Sequence, residues 1–197
     1  MEEEIERYQR EDLAEALRVL NAGGLIAYPT DTIWGIGCDA TNERAVERVF
    51  ALKRRSDAKA LISIVDSSSK LLGLMPEVPP IAYDLLEAAT SPLTIIYPNV
   101  KSLAQNLLAE DGSAGIRVVA SEAEPFCNAL CMRFKKPIVS TSANISGEAS
   151  PRYFGEVSEE ILKGVDYVVK YRQGDQRPHK ASGIIKLFGD GTFQLIR

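Results

Sequence analysis

Positive charge is concentrated just before a short apolar segment in the first third of the chain. Lys53, Arg54 and Arg55 are consecutive, and Lys59 precedes the apolar residues that run to Val65. Guanidinium groups suit bidentate binding of phosphate or carboxylate, whereas an ammonium group acts as a point charge. If a helix ends here and the chain turns, Lys53 and Arg55 can converge on one anion; a solvated helix end is the alternative. The pattern favours an anion site at the mouth of a sheet.

Hydroxyl groups are concentrated in Ser140–Gly147, which reads STSANISG directly after a predicted strand. Backbone N–H groups there, with the Ser142 and Asn144 side chains, could hold a phosphate or a ribose, because open α/β sheets bind ligands beyond strand ends. The alternative is a capped turn between a strand and a helix. The segment matches neither the Walker A loop nor the Rossmann fingerprint.

Two further features complete the candidate chemistry. Tyr28–Gly37 reads YPTDTIWGIG, in which Trp34 could form the wall of a pocket or simply be a core residue beside a tight turn. Arg117 lies inside an otherwise apolar predicted strand, so it needs an anionic partner from the protein or from a ligand. We find no serine–histidine–aspartate, cysteine–histidine or paired-carboxylate pattern. The residues therefore favour chemistry by positioning and electrostatic stabilisation, as in nucleotidyl or phosphoryl transfer.

Composition limits the class of protein. The chain has 197 residues, 45% of them hydrophobic, which predicts one domain over residues 1–197. The net charge of −4 means that a nucleotide or nucleic acid would have to bind through a local patch. His179 is the only histidine, so we predict no metal-ligating residues. The acidic N-terminus and the lack of an apolar run of about 20 residues predict a cytoplasmic protein with no signal peptide or membrane span.

The elements that must position these residues alternate irregularly. The second predicted helix opens at Asn42 and delivers Lys53 and Arg55 at its C-terminal end. The segment 30–37 is predicted as a loop, and 100–108 as a short helix. The remaining predicted helices are 11–22, a short helix that starts at 66–69, 81–89, 122–134 and 156–162. The predicted strands are 25–28, 60–65, 92–97, 115–119, 137–139, 167–171 and a closing hairpin of 183–187 with 191–196. The fold class is α/β, with a twisted, open, mixed sheet and helices packed on it.

Taken in order, these motifs resemble the YrdC-like family of threonylcarbamoyl-AMP synthases. The family pattern PT-(D/E)-T-x-(Y/W)-G-x-G is matched at Pro29–Gly37, and KxR is matched by Lys53 and Arg55. The later motifs are PLT at Pro92–Thr94, an arginine-containing strand at Arg117, and S-A-N-x-S-G at Ser142–Gly147. The resemblance covers the chain from about residue 13 to residue 197.

The resemblance implies a nucleotidyltransferase that converts L-threonine, bicarbonate or CO2, and ATP into threonylcarbamoyl-AMP and pyrophosphate. Mg²⁺ is expected to travel with ATP, and the product is expected to feed tRNA threonylcarbamoyladenosine modification. Some members also bind double-stranded RNA or tRNA through a basic concave face. By position, the implied catalytic residues are Lys53 and Arg55, the threonine-binding residues are Thr32, Arg117, Ser140 and Ser182, and the ATP-binding residues are Arg55, Lys59, Ser113, Ser142, Asn144, Ser150 and Arg197.

The chain departs from the family pattern at four positions. Ser56 stands where proline usually follows KxR, and Val119 replaces a proline. Ile64 replaces a polar residue, often histidine, and Gly183 replaces a threonine. These last two keep an alternative open, a paralogue that binds RNA or a nucleotide without making the adenylate. The acidic net charge argues against it, because strong RNA binding is electrostatic.

Overall fold

A computed structural model of the protein describes residues 2–55 and 61–197, with side chains from residue 10 onward. The predicted position of Lys59 lies outside the described residues. Short 3₁₀ helices occupy Ser68–Gly73, Gln105–Leu107 and Phe154–Glu156. The helices are α1 (Glu2–Asn21), α2 (Glu43–Leu52), α3 (Ile81–Ala88), α4 (Pro125–Phe134) and α5 (Glu159–Gly164), and the strands are β1 (Ile26–Tyr28), β2 (Gly35–Gly37), β3 (Ile62–Val65), β4 (Leu93–Tyr97), β5 (Ala114–Val118), β6 (Ile138–Ser142), β7 (Tyr167–Val168), β8 (Gly183–Leu187) and β9 (Phe193–Leu195).

Within the described ranges, nine strands form one sheet in the order β7-β1-β2-β6-β3-β5-β4-β8-β9. The pairs β1–β7, β3–β5 and β4–β8 are parallel, and the other neighbouring pairs are antiparallel. The predicted α/β class with a mixed sheet is therefore confirmed. The closing hairpin is confirmed as well, since β8 and β9 pair antiparallel.

The two faces of the sheet are covered by different helices. On one face, α1 and α4 pack on a cluster that includes Ile64 and Ile138, which pair with each other between β3 and β6. Val65 points the opposite way, because side chains alternate along a strand, and joins the larger cluster on the other face with α2 and α3. Arg117 faces the same side as Ile64, its partner in register, but lies beyond the cover that α1 and α4 provide. This uncovered part of the face becomes the cavity described below.

The prediction of a loop throughout 30–37 is wrong for its last three residues, which form β2. This strand pairs with β1 on one side and β6 on the other. Its glycines made it look like a loop, but they are needed for packing, because a Cβ atom at Gly37 would lie 2.6 Å from Cε1 of Tyr28. The Tyr28 ring crosses this gap, and its hydroxyl donates to the carbonyl oxygen of Val139 at 3.1 Å.

The predicted strand at 167–171 ends after Val168, because a buried carboxylate on α1 captures the backbone beyond it. Asp12 accepts hydrogen bonds from the N–H groups of Lys170 and Tyr171, at 2.9 and 2.7 Å, and from the hydroxyl of Tyr167 at 2.7 Å. Those N–H groups are therefore not available to a neighbouring strand.

Other helices and strands begin or end at residues that differ from the predicted ones. α1 begins at Glu2 rather than near residue 11, and β6 continues to Ser142, so the start of STSANISG is strand. α4 begins at Pro125, a residue suited to the first helical turn. In 100–108 only the short 3₁₀ turn forms. The predicted cap is confirmed, since the Asn42 side chain accepts from the first-turn N–H groups of α2. No helix in the described part of the chain is long and apolar enough to cross a membrane.

Candidate active site

A cavity of about 770 Å³ opens on the uncovered part of the sheet, within the size range of small-molecule sites. Its floor comes from β3, β4, β5, β6 and β8, and one side wall comes from Thr32–Gly35. Gly115 keeps the floor open, because a Cβ atom there would lie 3.0 Å from Cγ2 of Ile62 and 3.4 Å from Cγ2 of Thr94. The predicted site residues that line it are Thr32, Arg55, Ser113, Arg117, Ser140, Ser142, Ser150, Ser182 and Arg197.

Lys53 and Asn144 do not line this cavity. The side chain of Lys53 is buried, and its ammonium group donates to the carbonyl oxygens of Ser142 and Asn144, the latter at 2.7 Å. The backbone adds a further contact, because the N–H of Ser146 donates to the Lys53 carbonyl oxygen at 2.9 Å. Asn144 turns inward, donating to the carbonyl oxygens of Ile145 and Glu148 at 3.0 and 2.9 Å. Both side chains therefore hold the 142–148 segment, whose first residue, Ser142, lines the cavity.

The Lys53 ammonium predicts an alkaline pH dependence of stability. Burial, with a smaller effect of the nearby Arg55 charge, lowers the pKa of Lys53 from 10.5 to about 8. Between these two pH values the unfolded chain holds a proton at Lys53 that the folded chain has released, so raising the pH favours the folded state. We expect the unfolding free energy of the wild type, measured against Lys53→Met by chemical denaturation, to rise from pH 8 to pH 10.5 and to be flat below pH 8. A flat or falling difference across that window would contradict this.

Arg117 is the most deeply buried cation on the cavity floor. Its Nη2 atom lies 2.9 Å from Oδ1 of Asp31, and both side chains are 3% exposed. Nη2 also lies 3.4 Å from the hydroxyl of Thr30, whereas the buried Nε atom has no hydrogen-bond partner in the protein. The sequence left open whether a protein group or a ligand would balance this arginine. The structure supplies Asp31, and Arg117 also lines the cavity, where a ligand can approach it.

The hydroxyl groups near Arg117 are held by one another. The Thr30 and Thr32 hydroxyl oxygens lie 2.9 Å apart, and those of Thr94 and Ser182 lie 2.8 Å apart. All four residues are buried. These pairings hold the hydroxyls in place, and three of the four residues, Thr32, Thr94 and Ser182, line the cavity. Ser140, on β6, adds another buried hydroxyl to the same lining.

The other end of the cavity is more polar. The guanidinium of Arg197 donates to the carbonyl oxygen of Ser182 at 3.0 and 3.2 Å, which places it beside β8. Lys186 pairs with Asp111 at 2.8 Å, and Asp111 also accepts from the backbone and hydroxyl of Ser113. These donors hold the pKa of Asp111 well below its usual range.

The charged residues of the whole lining are Arg55, Arg117, Lys186 and Arg197, with Glu110 and Asp111 as the carboxylates. Positive charge therefore exceeds negative charge in the lining.

No sequence pattern indicated a second buried ion pair, which joins Arg172 to Glu124. Arg172 adopts the left-handed backbone region, with φ at 62°, and pairs with the carboxylate of Glu124. It also donates to the carbonyl oxygen of Thr30 at 3.1 Å and to Nε2 of His179 at 2.7 Å. Burial raises the pKa of Glu124, and the charge of Arg172 opposes that rise. These contacts join residues far apart in the chain, so they cannot be predicted from a local sequence pattern.

In the described part of the chain, no group of three or more histidine, cysteine, aspartate or glutamate side chains is placed to hold a metal ion. The three cysteines, Cys38, Cys127 and Cys131, are unpaired and buried. Two of the residues that depart from the family pattern are core residues, since Ile64 and Val119 both belong to the cluster under α1 and α4. Ile64 therefore packs against helices and is not part of the cavity lining.

The fold and this lining define a member of the Sua5/YciO/YrdC group of proteins. The chain belongs to that family, whose model is described as "Telomere recombination" and matches residues 18–197. The resemblance noted from the motifs is therefore confirmed.

Particular relatives are named for one activity. The chain is 32% identical over 160 residues to the threonylcarbamoyl-AMP synthase of Pseudoalteromonas translucida, covering 80% of this chain and 84% of that protein. It is 35% identical over 167 residues to the threonylcarbamoyl-AMP synthase of Xanthomonas euvesicatoria, covering 83% and 87%.

Solved structures agree with the fold. A variant of P. abyssi Sua5 superposes with a TM-score of 0.83 at 28% identity, covering 94% of this chain and 55% of that one. P. abyssi Sua5 complexed with L-threonine superposes with a TM-score of 0.77 at 27% identity, covering 89% and 50%. The chain thus spans about half the length of P. abyssi Sua5.

Proposed function

We propose that the protein is a threonylcarbamoyl-AMP synthase, a nucleotidyltransferase that makes threonylcarbamoyl-AMP and pyrophosphate from L-threonine, bicarbonate or CO2, and ATP. The observation that carries the proposal is the Arg117 site. Arg117, a buried arginine, lines the cavity beside the hydroxyls of Thr32, Ser140 and Ser182. An amino-acid carboxylate satisfies such a guanidinium, and the hydroxyls can orient a polar side chain. The names of the curated relatives and the threonine complex of P. abyssi Sua5 support the same ligand.

ATP is proposed to occupy the remaining length of the cavity. Its phosphates would lie near Arg55, with Ser142 at the end of β6 and Ser150 in the segment beyond it as hydrogen-bond donors. Ser113 and Arg197 would contact the nucleotide at the far end. Lys59 is proposed to join this group. Mg²⁺ would enter with the phosphates, since that ion is usually bound by substrate phosphates, waters and one or two carboxylates. Glu110 and Asp111 are the carboxylates of the lining, and Lys186 already neutralises Asp111.

The chemistry of the reaction suits this lining. The neutral threonine amine forms a bond from its nitrogen to the carbon of CO2, releasing a proton, or to the carbon of bicarbonate, releasing water; either route gives the carbamate. A carbamate oxygen then bonds to the α-phosphorus of ATP, and the bond to pyrophosphate breaks. Negative charge on the phosphates grows as pyrophosphate leaves, so a fixed guanidinium such as that of Arg55 lowers the barrier electrostatically. Arg117 and the hydroxyls would hold threonine in place, which contributes by orientation.

Lys53 is proposed to act through the wall rather than on the phosphates. Its ammonium is bound by the carbonyl oxygens of Ser142 and Asn144, which fixes the segment that carries Ser142. Asn144 would assist in the same way. Double-stranded RNA or tRNA, and the tRNA-modification enzymes that use the adenylate, are the proposed downstream partners. We propose that the protein works in the cytoplasm.

Pyrophosphate release tests the proposal. We expect the purified protein to release pyrophosphate from ATP only when L-threonine and bicarbonate are both present, and to form a product with the mass of threonylcarbamoyl-AMP. Omitting threonine or bicarbonate is the matched control. An absence of release under all conditions, together with salt-sensitive binding of double-stranded RNA, would favour the RNA-binding paralogue instead.

A further inference from the structure

The Asp31–Arg117 ion pair separates two cavities. Arg117 lines the large cavity, whereas Asp31 lines a second cavity of about 570 Å³ between α3 and the start of β4. Asp31 is not part of the large cavity's lining. It therefore stands behind the guanidinium that we propose as the carboxylate anchor, so it influences a ligand there through Arg117 rather than by direct contact.

The charges around Arg117 are balanced before any ligand enters. Asp31 neutralises Arg117, and Glu124 neutralises Arg172, which is bound to the carbonyl oxygen of Thr30 in the same loop as Asp31. Asp175 lies 3.4 Å from Arg172 but is itself paired with Arg177 at 2.8 Å, so it leaves this balance unchanged. The Asp31, Arg117 and Glu124 side chains are 3% exposed and the Arg172 side chain 13%, so water screens this group poorly. Arg172 and Arg117 both act on Asp31, whose pKa burial raises and these two charges pull back down.

Charge balance discriminates between two kinds of carboxylate. A ligand with a carboxylate alone would bring one uncompensated negative charge into this group, close to Asp31. An amino acid brings a carboxylate and an ammonium group, so the total stays neutral. Interactions between poorly screened charges at separations of several ångströms are large enough to decide affinity.

We propose that Asp31 is a specificity-determining residue, which makes the Arg117 site select zwitterionic amino acids over carboxylates that lack an α-ammonium group. This inference rests on the proposed function, because it takes an amino acid as the ligand of Arg117. Without the charge of Asp31, Arg117 would have an unbalanced positive charge and would accept simple carboxylates more readily. Asp31 would then serve to reject them.

A matched pair of ligands tests this. (R)-3-Hydroxybutanoate is L-threonine with its ammonium group replaced by hydrogen. We expect calorimetry to show that the wild type strongly prefers L-threonine, and that Asp31→Asn lowers the ratio of the two affinities by about tenfold or more, mainly through tighter binding of 3-hydroxybutanoate. Asp31→Glu, which keeps the charge, should keep the ratio. A general loss of packing would weaken both ligands and leave the ratio unchanged.

Asp39→Asn is the control for the cost of changing a buried aspartate. Asp39 is buried and pairs with Lys136 at 2.7 Å, and it lines neither cavity. If Asp31→Asn does not fold, Glu124→Gln removes one negative charge from the same buried group and should shift the ratio in the same direction. An unchanged ratio in whichever of these variants folds overturns the inference while the proposed function stands. Failure of the wild type to bind L-threonine overturns both.

Discussion

The Arg55→Ala substitution is expected to lower threonine-dependent pyrophosphate release by at least about a hundredfold, because removing one preorganised donor for developing charge commonly costs that much. Arg55 lines the cavity just beyond the end of α2, where its guanidinium can meet the phosphates of ATP. Steady-state assays at saturating threonine and bicarbonate would measure the loss. Circular dichroism and thermal melting should show an intact fold, since the side chain is only partly buried.

Arg54→Ala is the matched control, because the neighbouring arginine points away. Arg54 pairs with Glu160 at 2.6 Å, with the two side chains 67% and 51% exposed. Exposed pairs of this kind contribute about 0–1 kcal/mol, so both activity and stability should stay close to wild type. Equal losses in the two variants would mean that net charge, and not the position of Arg55, supports turnover.

The Lys53→Met substitution is expected to reduce activity at least about tenfold and to lower the free energy of unfolding by about 2 kcal/mol. Methionine matches lysine in length but leaves the carbonyl oxygens of Ser142 and Asn144 without a donor, and an unsatisfied buried group costs about 1–3 kcal/mol. The wall segment that carries Ser142 would shift, so the KM for ATP should rise. Chemical denaturation and ATP-dependent kinetics measure the two effects.

Lys163→Met controls for the loss of a lysine, since Lys163 pairs with Glu159 on the surface of α5 with both side chains largely exposed. Its effect on stability should be within about 0.5 kcal/mol. A Lys53→Met protein with full stability but no activity would point the other way, to a lysine that contacts the phosphates directly.

The hydroxyl side of the site was predictable from local pattern. Ser140 and Ser142 follow an apolar strand core, and such positions lie at the edge where open α/β sheets bind ligands. The expectation that Arg117 needs an anion was also sound, because a charged residue in an apolar strand must be balanced. Which anion balances Arg117 was not predictable, since Asp31 and Arg117 are brought together only by the pairing of distant strands.

The burial of the Lys53 side chain could not be predicted from the run of three cations. A helix ending in three cations usually reads as a solvated end or a single anion site. Here Arg54 adopts the left-handed backbone region, with φ at 52°, which non-glycine residues seldom occupy and which no neighbouring residue signals. The prediction of a loop at β2 was wrong for a related reason. Glycine is commonest in turns, whereas here Gly37 lies in a strand because the ring of Tyr28 leaves no room for a Cβ atom.

The turn at Arg54 gives three adjacent cations three separate environments. Lys53 points into the protein, Arg54 to the solvent and Arg55 to the cavity. The length of α2 and the turn after it distribute them, since Lys53 is the C-cap of the helix and Arg54 has already left the helical conformation. Deleting one uncharged residue from α2 would keep every charge in the sequence yet shift the three cations by one position, bringing Arg54 into the buried place of Lys53 and Arg55 into the solvent-facing place of Arg54. The motif therefore functions as a spacing measured from the Asn42 cap, and a homologous chain with the same three letters but a helix of different length would not have the same site.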